Sequence, residues 1–228
     1  MPRTITTFTV SILPATEARA TPLQPAGCHK LDRRLLLWGM EQNVHRTTEE
    51  LEAGLNEVLR SPKDNGVLEM IVTRPGIEER KALNEGELNL AEGLRGDNWQ
   101  VRNGADDLPH PDTQLTIMNT RAIALIARTK DRWPLAGDQL YIDLDLTPEN
   151  LPVGQQLSIG SALIEITEIP HLGCGKFAER FGRAAARFIN SPTSKKHRLR
   201  GIYAKVVQPG MIRVGDAVTK VEKPITAT

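Results

Sequence analysis

Apolar residues recur every three to four positions in three segments of the chain, a spacing typical of helices that bury one face. The first segment begins at Thr47, where Glu50 three residues later completes a capping-box signature, and Pro62 ends it. The others cover residues 120–130 and 176–190. We therefore predict three helices separated by long stretches of other structure.

Short alternating segments between these helices predict β-strands at residues 67–73, 115–118 and 141–146. The clearest β pattern is a tight hairpin, in which Gly160-Ser161 joins residues 156–159 to 162–169. Pro209-Gly210 predicts a second hairpin between residues 202–207 and 211–214. Residues 81–103 are rich in Gly, Asn and charge, and predict a loop with about one helical turn.

Hairpin-connected strands with a few helices indicate a β-rich α+β fold. Closure into a β-barrel would remove exposed strand edges, although the periodicity fits a sandwich as well.

Composition excludes several classes of protein. The 228 residues include 29 Lys+Arg, 28 Asp+Glu and two Cys. A net charge of +1 gives no general attraction to nucleic acid or to an anionic membrane, and no apolar run approaches the length of a membrane span. Two cysteines cannot build a disulfide framework or a four-cysteine metal site. We expect a cytoplasmic protein, and its oligomeric state stays open.

The N-terminal segment differs from the rest of the chain. Residues 1–45 have many Thr, Pro and Ala and few acidic residues, and four prolines fall within the first 25 positions. We expect a loose extension there, with organelle targeting as the open alternative, followed by one domain over residues 46–228.

Cys174 is the main candidate for chemistry. It lies between two glycines directly before the predicted helix 176–190, and Lys176 is two residues further on. A helix start and a neighbouring cation both favour the thiolate, the form that binds metals and attacks or carries sulfur. His171 could orient this thiol. The alternatives are a small buried Cys in a turn and a solvated His in a loop.

A dense basic segment follows Cys174. Residues 176–200 contain eight Lys or Arg residues and a single acidic residue, Glu179. At helical spacing, one face of the predicted helix carries four of the basic residues, namely Lys176, Arg180, Arg183 and Arg187. We predict that this face binds the anionic group of a ligand; a solvated face is the alternative.

Several short motifs occur in a characteristic order over residues 67–221. They are Gly93-Leu94-Arg95-Gly96-Asp97, Gly137-Asp138-Gln139-Leu140, the strand pair at 153–167, Cys174, the strand at 201–206 and Val214-Gly215-Asp216. This order resembles the MOSC domain, which forms the C-terminal end of molybdenum cofactor sulfurases and also occurs in stand-alone proteins.

The resemblance implies a barrel related to the β-barrel domain of pyruvate kinase. It also implies that Cys174 matches the family cysteine, which is proposed to carry sulfur or to ligate molybdenum in a pterin cofactor. Some members of the family reduce N-hydroxylated substrates. No pyridoxal phosphate is expected, because the chain lacks the sulfurase domain of the large family members.

Three functions follow from these expectations. The first is binding of a molybdenum-pterin cofactor for reduction of a small N-hydroxylated substrate, with a separate protein as electron donor. The second is a sulfur carrier that holds a persulfide on Cys174. The third is a non-catalytic module that binds an anion or a partner through the basic helix.

Overall fold

The computed structural model describes residues 45–101 and 109–222. Apart from His45, the predicted N-terminal extension lies outside these residues, so the division at position 45 stays a prediction.

The described chain contains eleven strands and four helices. The strands are β1 (Gly66–Thr73), β2 (Lys81–Leu83), β3 (Glu85–Asn89), β4 (Gly93–Leu94), β5 (Leu115–Asn119), β6 (Leu140–Asp143), β7 (Gln156–Ile159), β8 (Ala162–Pro170), β9 (Ile202–Gln208), β10 (Gly210–Arg213) and β11 (Ala217–Val221). The helices are α1 (Thr48–Val58), α2 (Thr120–Ala127), α3 (Gly175–Ile189) and α4 (Pro192–Lys196). None of these helices is long and apolar enough to cross a membrane.

Seven strands close into a barrel, which confirms the predicted fold class. Their order around the barrel is β1, β11, β7, β8, β9, β5 and β6, and β6 pairs with β1 again. All of these pairs are antiparallel except β5 with β6. Alternate side chains point inward, as Leu157 and Ile159 of β7 show, and fill the interior with buried aliphatic residues.

The predicted loop is wrong over residues 81–94, which contain β2, β3 and β4. The short 3-10 turn at Trp99–Val101 agrees with the single helical turn predicted in this segment. In β3, Gly86 and Leu88 are the inward-facing residues. A Cβ on Gly86 would lie 2.8 Å from Leu94 Cδ1, so a larger residue there would require the buried Leu94 side chain to move. The glycine removes an apolar residue from the alternating pattern and makes the strand look like a loop.

The predicted hairpin at Pro209-Gly210 is also wrong. Strand β9 pairs with β5 and β8 inside the barrel, whereas β10 pairs with β3 in a separate three-stranded sheet. The chain therefore passes from one sheet to the other at Pro209, which has no backbone N–H to donate to a ladder.

Helices α1, α2 and α3 cover one side of the barrel around a second apolar core. The capping box of α1 is present as predicted, with Glu50 N–H donating to Thr47 Oγ1 and Thr47 N–H donating to Glu50 Oε2. Helix α2 begins after Asn119, whose Oδ1 accepts the N–H of Ala122 at 2.9 Å.

Helix α3 is interrupted at Gly182. This residue has φ 88° and ψ 163°, a conformation that is essentially restricted to glycine and cannot continue a helix. The predicted single face of Lys176, Arg180, Arg183 and Arg187 is therefore wrong, since the helical register ends between Arg180 and Arg183. Phe177, Phe181 and Phe188 are nevertheless buried, as the apolar pattern requires.

Candidate functional site

Cys174 is exposed and forms no disulfide in the described chain. It lies between the end of β8 and the start of α3, where it is the N-cap residue, and its side chain makes no capping hydrogen bond. Its carbonyl oxygen accepts the N–H of Phe177 at 3.0 Å, so the backbone is fixed while the thiol stays accessible. The alternative of a small buried Cys is thereby excluded.

Asn190 holds the segment that leads to this thiol. Its Oδ1 accepts the N–H of Gly173 at 3.1 Å, and its Nδ2 donates to the carbonyl of the same residue at 3.1 Å. The amide at the far end of α3 thus fixes the backbone immediately before Cys174.

His171 is not a solvated loop residue, since its side chain is only 7% exposed. Its Nδ1 lies 3.6 Å from Asp138 Oδ1, and its ring lies 4.5 Å from that of Tyr203. These contacts place the ring against the barrel. A role for His171 in orienting Cys174 stays a prediction.

Asp138 also pairs with a buried cation. Arg200 Nη1 donates to both of its carboxylate oxygens, at 2.9 and 2.8 Å, and Arg200 Nη2 donates to the carbonyl of Ala136 at 3.0 Å. Burial, and secondly the charge of Asp138, raise the pKa of Tyr141 well above its usual value. Tyr141 is therefore a neutral hydroxyl, which donates to the carbonyl of Trp133.

A second buried ion pair lies where two of the short sequence motifs meet, the one that ends at Asp97 and the one that contains Gln139. Arg74 Nε and Nη2 donate to the two carboxylate oxygens of Asp97 at 2.8 and 2.7 Å. Gln139 Nε2 donates to Asp97 Oδ1 at 3.2 Å. The motif that ends at Asp97 and the motif around Gln139 therefore meet in one polar network.

Three arginines surround the backbone of Gly137. Arg74 Nη1 donates to its carbonyl oxygen at 2.8 Å. A Cβ on Gly137 would lie 3.7 Å from Arg80 Nη2 and 4.0 Å from Arg180 Nη1. Glycine therefore leaves the space in which the guanidinium groups of Arg80 and Arg180 approach each other.

Arg80 is the least compensated of these cations. Burial, followed by the charges of Arg180 and Arg74, lowers its pKa from the usual arginine value. Its Nε is buried and has no hydrogen-bond partner among the described residues. A guanidinium in this position favours an additional anion.

Glu78 is the acidic partner of the neighbouring cations. Its carboxylate pairs with both Lys176 Nζ and Arg180 Nη2. Arg180 Nη1 also donates to the carbonyl of Leu135 at 2.9 Å, which holds the guanidinium in place. The Arg180 side chain is 17% exposed. We refer to Lys176, Arg180 and Arg80 as the basic site.

Arg183 and Arg187 lie beyond the break at Gly182 and are exposed. Neither forms an ion pair with a described residue. Their predicted contact with a ligand stays a prediction, whereas Lys176 and Arg180 converge on the same carboxylate.

Sequence reasoning missed the contribution of residues 74–80. Arg74 and Arg80 flank the Pro75-Gly76 turn at the end of β1, and Glu78 lies between them. Basic residues on both sides of a turn at a strand end were the available signal. Their convergence with Arg180 depends on tertiary contacts.

A cavity of about 220 Å³ lies behind the segment that precedes Cys174. Its walls include Ile169, His171, Leu172, Ser194, Arg198 and Arg200. Among the described residues, no three His, Cys, Asp or Glu side chains are grouped as a metal site. Cys174 is thus a single candidate ligand rather than part of a protein-built metal cage.

One solved structure supports this architecture. The YUAD protein of Bacillus subtilis superposes with a TM-score of 0.53 at 16% identity, over 70% of this chain and 97% of that one. YiiM of Escherichia coli gives a TM-score of 0.46 at 21% identity, over 71% of this chain and 73% of that one. No curated protein matches the sequence. The profile of the MOSC domain matches residues 106–219, half of the chain. The chain therefore belongs to the MOSC domain family.

Proposed function

We propose that this protein binds a molybdenum-pterin cofactor through Cys174 and the basic site and supports reduction of a small N-hydroxylated substrate. The observation that carries the proposal is the position of an exposed thiol at the start of the helix that supplies Lys176 and Arg180. A soft thiolate is a suitable ligand for a transition metal, and the cations suit a phosphate group.

The residues present fit such a cofactor. Lys176, Arg180 and Arg80 face one described carboxylate, that of Glu78, so positive charge exceeds negative charge at the basic site. The buried Nε of Arg80 is a donor without an acceptor in the described chain. The part of α3 before Gly182 spans only about two turns, so the side chains rather than the helix dipole supply the attraction.

Each residue would have a distinct role. Cys174 would hold the metal, and the basic site would hold the cofactor's phosphate. Asn190 fixes the backbone before the thiol, and the Arg74–Asp97 pair supports the Gly137 backbone beside Arg80 and Arg180. When bound, the cofactor would supply the redox chemistry, with electrons from a separate protein in the cytoplasm.

The test is metal and pterin analysis of protein produced in a host that makes the cofactor. We expect molybdenum and pterin to co-purify with the wild type. Cys174→Ser should lose molybdenum, and Arg180→Gln should lose pterin because the phosphate contact is weakened. Arg183→Gln tests whether the exposed arginines beyond Gly182 contribute to binding of the cofactor. Wild-type protein without molybdenum and pterin would contradict the proposal.

Sulfur transfer is the second candidate, and the exposure of Cys174 favours it. An accessible thiol at a helix start can accept a sulfur atom from a donor persulfide and pass it to a second thiol. Mass spectrometry after incubation with a persulfide donor would then show one added sulfur in the wild type and none in Cys174→Ser. Ligand binding that survives Cys174→Ala would instead support a non-catalytic anion-binding module.

A further inference from the structure

The carboxylate of Glu78 already occupies the position between two cations of the basic site. It pairs with Lys176 Nζ and with Arg180 Nη2, residues separated from it by about a hundred positions in the chain. Both partners are the residues that we propose for the phosphate of the cofactor. An incoming anion would therefore compete with Glu78 for these donors.

The turn that carries Glu78 contacts α3 through the ion pairs of this side chain. Glu78 has a left-handed backbone conformation, with φ at 62°, which is uncommon for a residue other than Gly, Asn or Asp. Its neighbour Ile77 is 87% exposed, so burial of the apolar side chain does not hold the turn in place. The ion pairs with α3 are the described contacts of the Glu78 side chain.

We propose that Glu78 is an internal competing anion, which makes the basic site selective for dianionic phosphate groups over single carboxylates. A ligand carboxylate would only replace one carboxylate by another, and Glu78 has the advantage of being attached to the same chain. A phosphate group carries more charge and three acceptor oxygens, so it can contact Lys176, Arg180 and Arg80 together.

The inference rests on the proposed phosphate contact of the basic site. It states specifically that Glu78 weakens the binding of every anion at that site and excludes the anions that bind most weakly. Removal of its charge should therefore increase affinity and decrease selectivity, whereas removal of Arg180 should abolish binding.

The experiment measures binding of inorganic phosphate and of acetate at slightly alkaline pH, by chemical-shift titration of the backbone amides of α3. Wild-type protein should bind phosphate weakly and acetate not at all. Glu78→Gln should bind phosphate about five- to tenfold more tightly and should show detectable acetate binding, because Gln keeps the shape without the charge. Glu79→Gln, the adjacent residue with the same loss of charge, should behave as wild type.

The double variant Glu78→Gln, Arg180→Gln should lose the gained affinity. Equal gains in Glu78→Gln and Glu79→Gln would overturn the proposal, since only the overall field would matter. If Arg180→Gln weakens phosphate binding but Glu78→Gln does not strengthen it, the competing role of Glu78 is overturned and the proposed cofactor site stands. If no variant binds phosphate, the phosphate contact and the inference both fail, and molybdenum on Cys174 is judged by metal analysis.

Discussion

Asn190 and Gly173 are joined by two hydrogen bonds, one to the N–H and one to the C=O of the glycine, each 3.1 Å long. The approach is so close that a Cβ on Gly173 would lie 2.9 Å from Asn190 Nδ2. The C-cap residue of α3 thus fixes the backbone that leads into Cys174, its N-cap residue.

Asn190→Ala should lower the free energy of unfolding by about 1–2 kcal/mol, because two partly buried backbone groups lose their partner. It should also reduce the molybdenum content of protein made in a cofactor-competent host, since the thiol is no longer held in one position. Urea denaturation and metal analysis measure the two effects.

Asn150→Ala is the matched control for that variant. Asn150 Nδ2 donates to the carbonyls of Lys63 and Asp145 at 2.9 and 2.8 Å, and neither of these residues belongs to the segment that leads to Cys174. It should destabilise the protein to a similar degree and leave the metal content unchanged. Equal metal loss in both variants would show that Asn190 acts only through stability.

The buried pair of Arg74 and Asp97 should be sensitive to loss of either charge. Their side chains are 4% and 0% exposed, so a remaining guanidinium would be left in a site with little water. Asp97→Asn should therefore cost about 3 kcal/mol or more in unfolding free energy, measured by chemical denaturation.

The exposed pair of Arg95 and Glu87 is the comparison for this effect. Its N–O distance is also 2.7 Å, but the side chains are 69% and 39% exposed. Glu87→Gln should leave the denaturation midpoint essentially unchanged, because water solvates the remaining guanidinium. Similar losses of stability in Asp97→Asn and Glu87→Gln would contradict the importance that we assign to burial.

Local patterns predicted much of the barrel but not all of its pairings. Alternation placed β7 and β8 and their turn at Gly160-Ser161, because neighbouring strands need only local contacts. The partner of β10 is β3, more than a hundred residues earlier, and no local turn signal encodes that pairing. The single glycine of β3, Gly86, leaves space for Leu94, a contact made only after folding.

At the candidate site, too, local features were predicted and tertiary contacts were not. Cys174 was identified from its glycines and the following helix, both of which are local features. Arg80 and Glu78 were missed because they reach the site through the turn after β1, and only the tertiary fold brings them to Arg180. The break at Gly182 was missed because the apolar spacing continues across it.

Gly182→Ala distinguishes the broken helix from a continuous one. In an uninterrupted helix the change would stabilise the protein by about 0.5–1 kcal/mol. At φ 88° and ψ 163° it should instead destabilise by about 1–3 kcal/mol, and the added Cβ would lie 3.0 Å from the His45 ring. Thermal and urea unfolding give the sign directly.

Gly175→Ala serves as the control in the same helix. A Cβ on Gly175 would meet no atom within 4 Å, so this change should be neutral or slightly stabilising. Stabilisation by Gly182→Ala would show that α3 is continuous and would restore the single basic face.

The ion pairs of Glu78 predict how the turn after β1 responds to acid. The hydrogen bond from Lys176, and secondly the charge of Arg180, hold the pKa of Glu78 below 4.5, its usual value. A carboxylate with a lowered pKa stabilises the folded state above the usual value, and this contribution is lost as the pH falls through the lowered one. The contact should thus persist from neutral pH to below 4.5.

Carboxyl NMR titration should show Lys176→Gln moving the pKa of Glu78 up towards 4.5. Lys130→Gln, which removes the partner of Glu69, should leave it unchanged, and equal shifts in both variants would mean that the pairing is not specific.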